Sequence, residues 1–261
     1  MNSYVERARF YNYEFNTKID FELLSSIIKT SEKPIAEIPC GSGRLLPLHK
    51  EHNREVYMID VEPLMIEQLE WVINEQKLND RVKPQIGDFR FWKSCKPVET
   101  ILIPRGGIQL LQNSADLNVT IKNLHGSISK NGHIYIDIAK PWNDNRNEAH
   151  LLPEFMRFSD EHILEGESVF MMDNIGELKR NFTSKINEEY VVVNFDFCAK
   201  FFDGKDSSNY NMKYQWRNIT LNELSKCLSI SGFKIMELYG DYSRNEYSDN
   251  SSRLICIAQK L

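Results

Sequence analysis

The feature that most restricts the fold is a short apolar run, residues 34–38, which stops at Pro39-Cys40-Gly41-Ser42-Gly43-Arg44. Two glycines one residue apart let a backbone turn sharply at the end of a strand and approach a ligand with no Cβ in the way. Four further strand-like segments follow in order. Residues 55–59 end on Asp60, residues 81–86 end in Gly87-Asp88, and residues 98–103 end in Pro104-Arg105-Gly106-Gly107-Ile108-Gln109; the fourth is 133–139. Helical periodicity fills the gaps at 63–77, with Pro63 in the first turn, around 108–111, and at 116–129. Strands alternating with helices predict a parallel sheet covered on both faces. In such sheets ligands lie beyond the carboxyl ends of the strands, so the polar and glycine ends should converge.

The flanks read differently. Thr17-Lys18-Ile19-Asp20 has the form of an acidic capping box opening a helix with Ile19, Leu23, Leu24, Ile27 and Ile28 on one stripe. After Pro141-Trp142 the period falls to two. Val191, Val193, Phe195, Phe197, Ala199 and Phe201 share a face, and Met212, Tyr214 and Trp216 oppose Lys213, Gln215 and Arg217. With 167–173 and 177–186, and with Asp203-Gly204 and Ser207-Ser208-Asn209 as turns, this predicts an antiparallel meander with one apolar face. A second capping box, Thr220 to Glu223, starts a helix that Ser231-Gly232 stops, and strands at 233–239 and 253–258 form a C-terminal hairpin. The reading is one domain over 1–261, with a core of 1–140 and 220–261 and an insertion, 141–219.

Composition narrows the classes. Of 261 residues, 41% are hydrophobic and 26% charged, enough for a sizeable core. A net charge of −5 gives no general attraction to nucleic acid or an anionic membrane. No run is long enough to span a bilayer, and the N-terminus lacks the apolar stretch of a signal peptide. The five cysteines are scattered, with no C-x-x-C pair and no cluster of metal spacing, so the expectation is a reduced cytoplasmic protein without a metal.

The strand ends carry the chemistry. Asp60, about 20 residues past Gly41, is placed to accept hydrogen bonds from both hydroxyls of a ribose. Asp88 and Phe89 offer a carboxylate and an aromatic edge to a purine. The third glycine of a dinucleotide fingerprint is replaced by Leu46, and Glu37 before the glycines suits a cationic amine better than a phosphate. Glu37-x-x-x-Gly41-x-Gly43-Arg44, Ile59-Asp60 with Pro63-x-Met65, and Ile86-Gly87-Asp88-Phe89 together resemble class I S-adenosylmethionine-dependent methyltransferases over about residues 11–140. The C-terminal layout is similar to small-molecule members, including amino-sugar N-methyltransferases.

The resemblance implies a Rossmann-like, mostly parallel seven-stranded sheet with a C-terminal antiparallel hairpin and an inserted meander. It implies S-adenosyl-L-methionine as cofactor, S-adenosyl-L-homocysteine as product and a small-molecule acceptor. Gly41 and Gly43, with Cys40 and Arg44, would pass near the cofactor's amino-acid part, and Glu37 would order that loop and the ammonium. Asp60 would hold the ribose, Val61 and Met65 would flank the adenine, and Gly87, Asp88 and Phe89 would meet its edge. Tyr11 and Tyr13 match an N-terminal aromatic segment that closes over the cofactor. Pro104 to Gln109 would border the sulfonium and acceptor. The catalytic candidates are Gln109, Arg105 and Tyr11, with a helix-capping or loop-stabilising role open for Gln109 and Arg105; Arg105-Gly106-Gly107 is glycine-rich where many relatives carry an aromatic or polar residue. His125 and His133 read as structural; His150 and His162 fall in the insertion and stay open. The meander is either a core cover, a roof over the acceptor or a homodimer surface. A nicotinamide-dependent oxidoreductase, or a cofactor-binding protein without turnover, remains an alternative.

Overall fold

A computed structural model describes residues 3–142, 146–157, 163–203 and 207–261. Two helices, α1 (Ser3–Glu14) and α2 (Phe21–Thr30), precede β1 (Ile35–Glu37). There follow α3 (Leu46–Lys50), β2 (Val56–Asp60), α4 (Pro63–Glu75), β3 (Val82–Ile86), β4 (Val98–Ile103), α5 (Ser114–Ser127) and β5 (Ile128–Ala139). The meander is β6 (Ile163–Met172), β7 (Gly176–Ile186), β8 (Tyr190–Phe201) and β9 (Ser208–Arg217). The chain closes with α6 (Leu221–Ile230), β10 (Phe233–Tyr239) and β11 (Arg253–Lys260).

The main sheet has seven strands in the order β10-β11-β5-β4-β1-β2-β3. β1 pairs in parallel with both β2 and β4, and β11 runs antiparallel between β5 and β10. The strand order therefore reverses beside β1, and a crevice opens beyond the carboxyl ends of β1 and β4. Two cores cover the two faces. Leu117, Ile121, Leu124 and Leu228 from α5 and α6 pack on one, and Leu24, Ile28, Ile66 and Leu69 from α2 and α4 on the other. Each such side chain contributes roughly 1.5–3 kcal/mol when buried, so the sheet is held from both sides before any ligand binds.

The second sheet is a four-stranded antiparallel meander, β6-β7-β8-β9, with Val191, Val193, Phe195, Phe197 and Ala199 on its buried face as the alternation predicts. That face packs on Phe10 of α1 and on Phe155 and Met156, in a short 3-10 turn, Glu154–Met156. Arg217, expected on the polar face, is instead buried; it donates to the Leu111 carbonyl and pairs with Glu223 at 2.9 Å.

Two local expectations fail for identifiable reasons. The helix predicted from a capping box at Thr17 starts only at Phe21, because the Asp20 carboxylate is taken by Arg44 and caps nothing. β5 begins at Ile128, five residues before the apolar run that marked it, and passes Asn131 in the left-handed region. By contrast Thr220 does cap α6, accepting the Glu223 N–H at 3.2 Å. Gly204 and His162 lie outside the described residues.

Candidate active site

The glycine loop is built on backbone geometry. Gly41 and Gly43 have φ of 55° and 96°, in the left-handed region that side chains rarely tolerate. A Cβ at Gly41 would lie 2.9 Å from the Tyr11 ring, so the glycine lets α1 close on the loop. A Cβ at Gly43 would meet Leu69 of α4 at 2.6 Å. Gly43 thus serves the packing of the loop on α4 and does not line the cavity described below.

Asp60 pins this loop to the end of β2. Its Oδ2 accepts the Gly41 N–H at 2.8 Å and its Oδ1 the Glu62 N–H at 3.0 Å. Only 7% exposed, it has its pKa raised by burial, against the opposing pull of those two N–H groups. A carboxylate has about four acceptor sites, so two backbone donors leave room for ligand hydroxyls. Burial, with the nearby charges of Glu37 and Asp60, likewise pushes the Cys40 thiol up and keeps it protonated.

Glu37 is 2% exposed, and its Oε2 lies 2.9 Å from Nε2 of His49, a buried residue of α3. Sequence reasoning missed His49, which sits in a five-residue helix with no periodic signal. Arg44 is also committed. It holds Asp20 through both terminal nitrogens, at 2.7 and 2.6 Å, and reaches the Thr17 carbonyl at 3.0 Å.

At the far end of the crevice stand Val61, Met65, Gly87, Asp88 and Phe89. Asp88 is chelated by Arg90 through Nε and Nη2, at 3.0 and 2.6 Å, and that hydrogen bonding holds its carboxyl below the ordinary aspartate range. The two strand-end acids therefore differ: one is buried and pushed up, the other half-exposed and pulled down.

After β4, Arg105 adopts φ 53° with its N–H on Asp137 Oδ2 at 2.9 Å. Its guanidinium donates to the Tyr242 hydroxyl at 3.0 Å, which in turn donates to Asp137. An arginine in that setting stays charged. Burial pulls its pKa down, but the surrounding Tyr242, Asp20 and Asp137 outweigh that and leave it raised. It cannot serve as a base.

Two candidates besides Gly43 are not brought to the cavity. Gln109 is 0% exposed, and its amide is used up by the backbone: Nε2 donates to the carbonyls of Ala139 and Arg217 at 3.1 and 3.0 Å, and Oε1 accepts the Ala139 N–H at 2.7 Å. It clamps the loop after β4 to the ends of β5 and β9, a structural duty. Tyr13 turns to the meander, its hydroxyl donating to Asp173 at 3.4 Å, while Tyr11 lines the cavity.

The remaining candidates, Glu37, Cys40, Gly41, Arg44, Asp60, Val61, Met65, Gly87, Asp88, Phe89, Pro104 and Arg105, all line one cavity of about 680 Å³. Its roof was only coarsely foreseen. Lys213, Tyr214, Gln215 and Trp216 of β9 descend on it, with Phe155 and Met156 beside them. The Phe155 and Trp216 rings stack at 5.5 Å, and Tyr214 tilts on Trp216 at 5.4 Å. His150 lies in a 3-10 turn with Nδ1 near the Asn147 carbonyl, away from the cavity lining; His125 packs edge-on against Phe233, and His133 faces Gln259. No described helix is long and apolar enough to cross a membrane.

No protein-family model and no curated protein matches the sequence. Solved structures do match the fold. An S-adenosylmethionine-dependent methyltransferase from Clostridium acetobutylicum superposes with a TM-score of 0.75 at 14% identity, covering 99% of each chain. KedS8, a sugar N-methyltransferase from Streptoalloteichus, gives 0.70 at 13% identity over 100% of this chain and 92% of its own. CalS10, an amino pentose methyltransferase from Micromonospora echinaspora solved with S-adenosylmethionine bound, gives 0.68 at 12% over 96% and 94%. The alternating strands and helices, the reversal beside β1 and the inserted meander thus make up the fold of S-adenosylmethionine-dependent methyltransferases.

Proposed function

We propose that this protein transfers a methyl group from S-adenosyl-L-methionine to a small-molecule acceptor, at nitrogen rather than oxygen. The observation that carries the reading is the single cavity in which a glycine loop, Asp60 and Asp88 occupy successive strand ends under an aromatic roof. In this reading Asp60 takes the ribose hydroxyls, Val61, Met65 and Phe89 flank the adenine, and Asp88 receives its exocyclic amine. Glu37, backed by His49, receives the ammonium of the amino-acid part. The sulfonium then points toward Pro104 and the roof.

Methyl transfer from a sulfonium is an in-line displacement that discharges a positive centre, so the protein must chiefly align nucleophile, carbon and sulfur. A neutral amine supplies its own lone pair, whereas a hydroxyl usually needs a base. Among the described residues lining the cavity there is no histidine, and its acids Glu37, Asp60, Glu62, Asp88 and Asp116 are each already engaged. That favours nitrogen. The stacked rings of Phe155, Tyr214 and Trp216 provide faces suited to an amine gaining positive charge on alkylation.

Calorimetry with S-adenosylhomocysteine and with NAD tests the cofactor. We expect the first to bind and the second to be ignored; the reverse would point to an oxidoreductase. Incubation with S-adenosylmethionine and a panel of small amines and alcohols, read as S-adenosylhomocysteine released, then tests turnover and the preference for nitrogen.

A further inference from the structure

In the wall of the cavity that holds the glycine loop, three arginines meet two aspartates. Arg44 is matched by Asp20 in a two-pronged pair. Arg253 is matched by Asp137, through Nε at 2.9 Å and through Nη2. Both aspartates are 0% exposed, so neither has charge to spare for solvent. Arg105 is the cation left over.

The details bear this out. The second oxygen of Asp137 accepts the backbone N–H of Arg105 at 2.9 Å and the Tyr242 hydroxyl at 3.0 Å, not the Arg105 guanidinium. That guanidinium donates to the neutral Tyr242 hydroxyl, and among the described residues it enters no ion pair. A guanidinium carries five donors in a planar fork, so most of them remain available. Arg105 lines the cavity and holds a left-handed backbone, φ 53°, that a non-glycine residue seldom adopts. Such conformations gather at ligand clamps, where the surrounding structure over-determines them. Here Asp137 fixes the N–H and Tyr242 fixes the side chain.

A charged fork with no matching acid, on a residue that lines the cavity, fits a carboxylate. The cofactor read above carries one, on the same amino-acid part whose ammonium falls to Glu37. We propose that Arg105, positioned by Tyr242, is the seat of the cofactor's carboxylate and selects for a zwitterionic tail. This rests on the cofactor assignment of the preceding subsection. The departure from relatives at Arg105-Gly106-Gly107 then has a purpose: the loop delivers a cation to the cofactor, and Gly106, with φ 77°, completes the turn that does so.

The test compares S-adenosylhomocysteine with its decarboxylated analogue, which keeps the adenosine, the thioether and the amine. Binding of each is measured by calorimetry to the intact chain, to Arg105→Asn, to Arg105→Lys and to Tyr242→Phe. Asparagine tolerates the left-handed backbone, and circular dichroism verifies that each variant is folded. The unaltered chain should prefer the carboxylate form by about 10- to 100-fold, the value of a charge-assisted pair. The preference should collapse toward unity in Arg105→Asn, persist in part in Arg105→Lys and weaken in Tyr242→Phe. A preference that survives in Arg105→Asn overturns the seat, and so would a seat used by an acceptor carboxylate, which leaves that ratio unchanged. Equal loss of both ligands would assign Arg105 a structural role and also overturn it. If the unaltered chain binds neither ligand, the cofactor reading itself fails and takes the seat with it.

Discussion

Below the cavity, the groups that face a ligand hang from the ends of parallel strands, where the backbone N–H groups of Gly41 and Glu62 are both fixed by the Asp60 carboxylate. Above it, the antiparallel sheet offers side chains, Tyr214 and Trp216, steadied mainly by stacking with Phe155. Floor and roof therefore specify differently. Backbone geometry can be kept while side chains change, so the floor suits a fixed ligand and the roof a variable one. The two meet along α1. Ser42 of the floor donates to Asn12 at 2.7 Å, and Arg180 of the roof grips Glu14 of α1 as well as Glu154.

Breaking that seam should have the largest effect. Arg180 is buried among the rings of Phe155, Phe170, Phe182 and Phe195. Arg180→Ala would remove the buried cation that Glu14 and Glu154 share, a loss of about 3–5 kcal/mol in denaturant unfolding. A midpoint close to that of the unaltered chain would show that roof and α1 are not tied there.

Next comes the floor. Asp60→Ala should weaken S-adenosylhomocysteine binding by about 10- to 100-fold through lost charge-assisted hydrogen bonds; unchanged affinity by calorimetry would remove Asp60 from the ribose. Acidification offers a finer version. Burial raises Asp60, so it takes up a proton at higher pH than an ordinary aspartate and loses acceptor strength, whereas Asp88 is held down by Arg90. Affinity should fall as pH drops through the raised Asp60 value, and Asp60→Asn should flatten that fall. For folding the sign is opposite. The native state holds this proton more tightly than the unfolded chain, so ionising Asp60 as pH rises from the ordinary to the raised value costs stability.

The smallest effect on the cofactor should come from the roof. Trp216→Ala should leave S-adenosylhomocysteine affinity nearly unchanged while kcat/KM for an accepted amine drops by about 10-fold, the scale of one lost aromatic contact. Equal losses in both would erase the division between floor and roof.

Much of this plan was legible in the sequence because it is local. The strand ends follow from apolar runs closing on glycine or acid, and the meander follows from a period of two over 191–201. What was hidden depends on which strands become neighbours. Gln109 was a site candidate because it follows a strand end, yet β5 and β9 arrive to consume its amide. His49 gave no periodic signal before Glu37 was placed above it. One clue was available: Asp137 sits inside the apolar run of β5 and Arg253 opens that of β11, and opposite charges in two buried strands call for each other across a sheet.

That pairing has a consequence for how the chain is made. Asp137 leaves the ribosome 116 residues ahead of Arg253, and Arg105 leaves 137 ahead of Tyr242. Until β11 slots in beside β5, the sheet carries an unmatched acid on its edge strand, and the wall behind the glycine loop lacks both of its late partners. The meander, whose strands pair with immediate neighbours, can form in the interval. The roof can thus assemble before the wall it covers, whereas the cavity takes its final charge only when the last strand is in place.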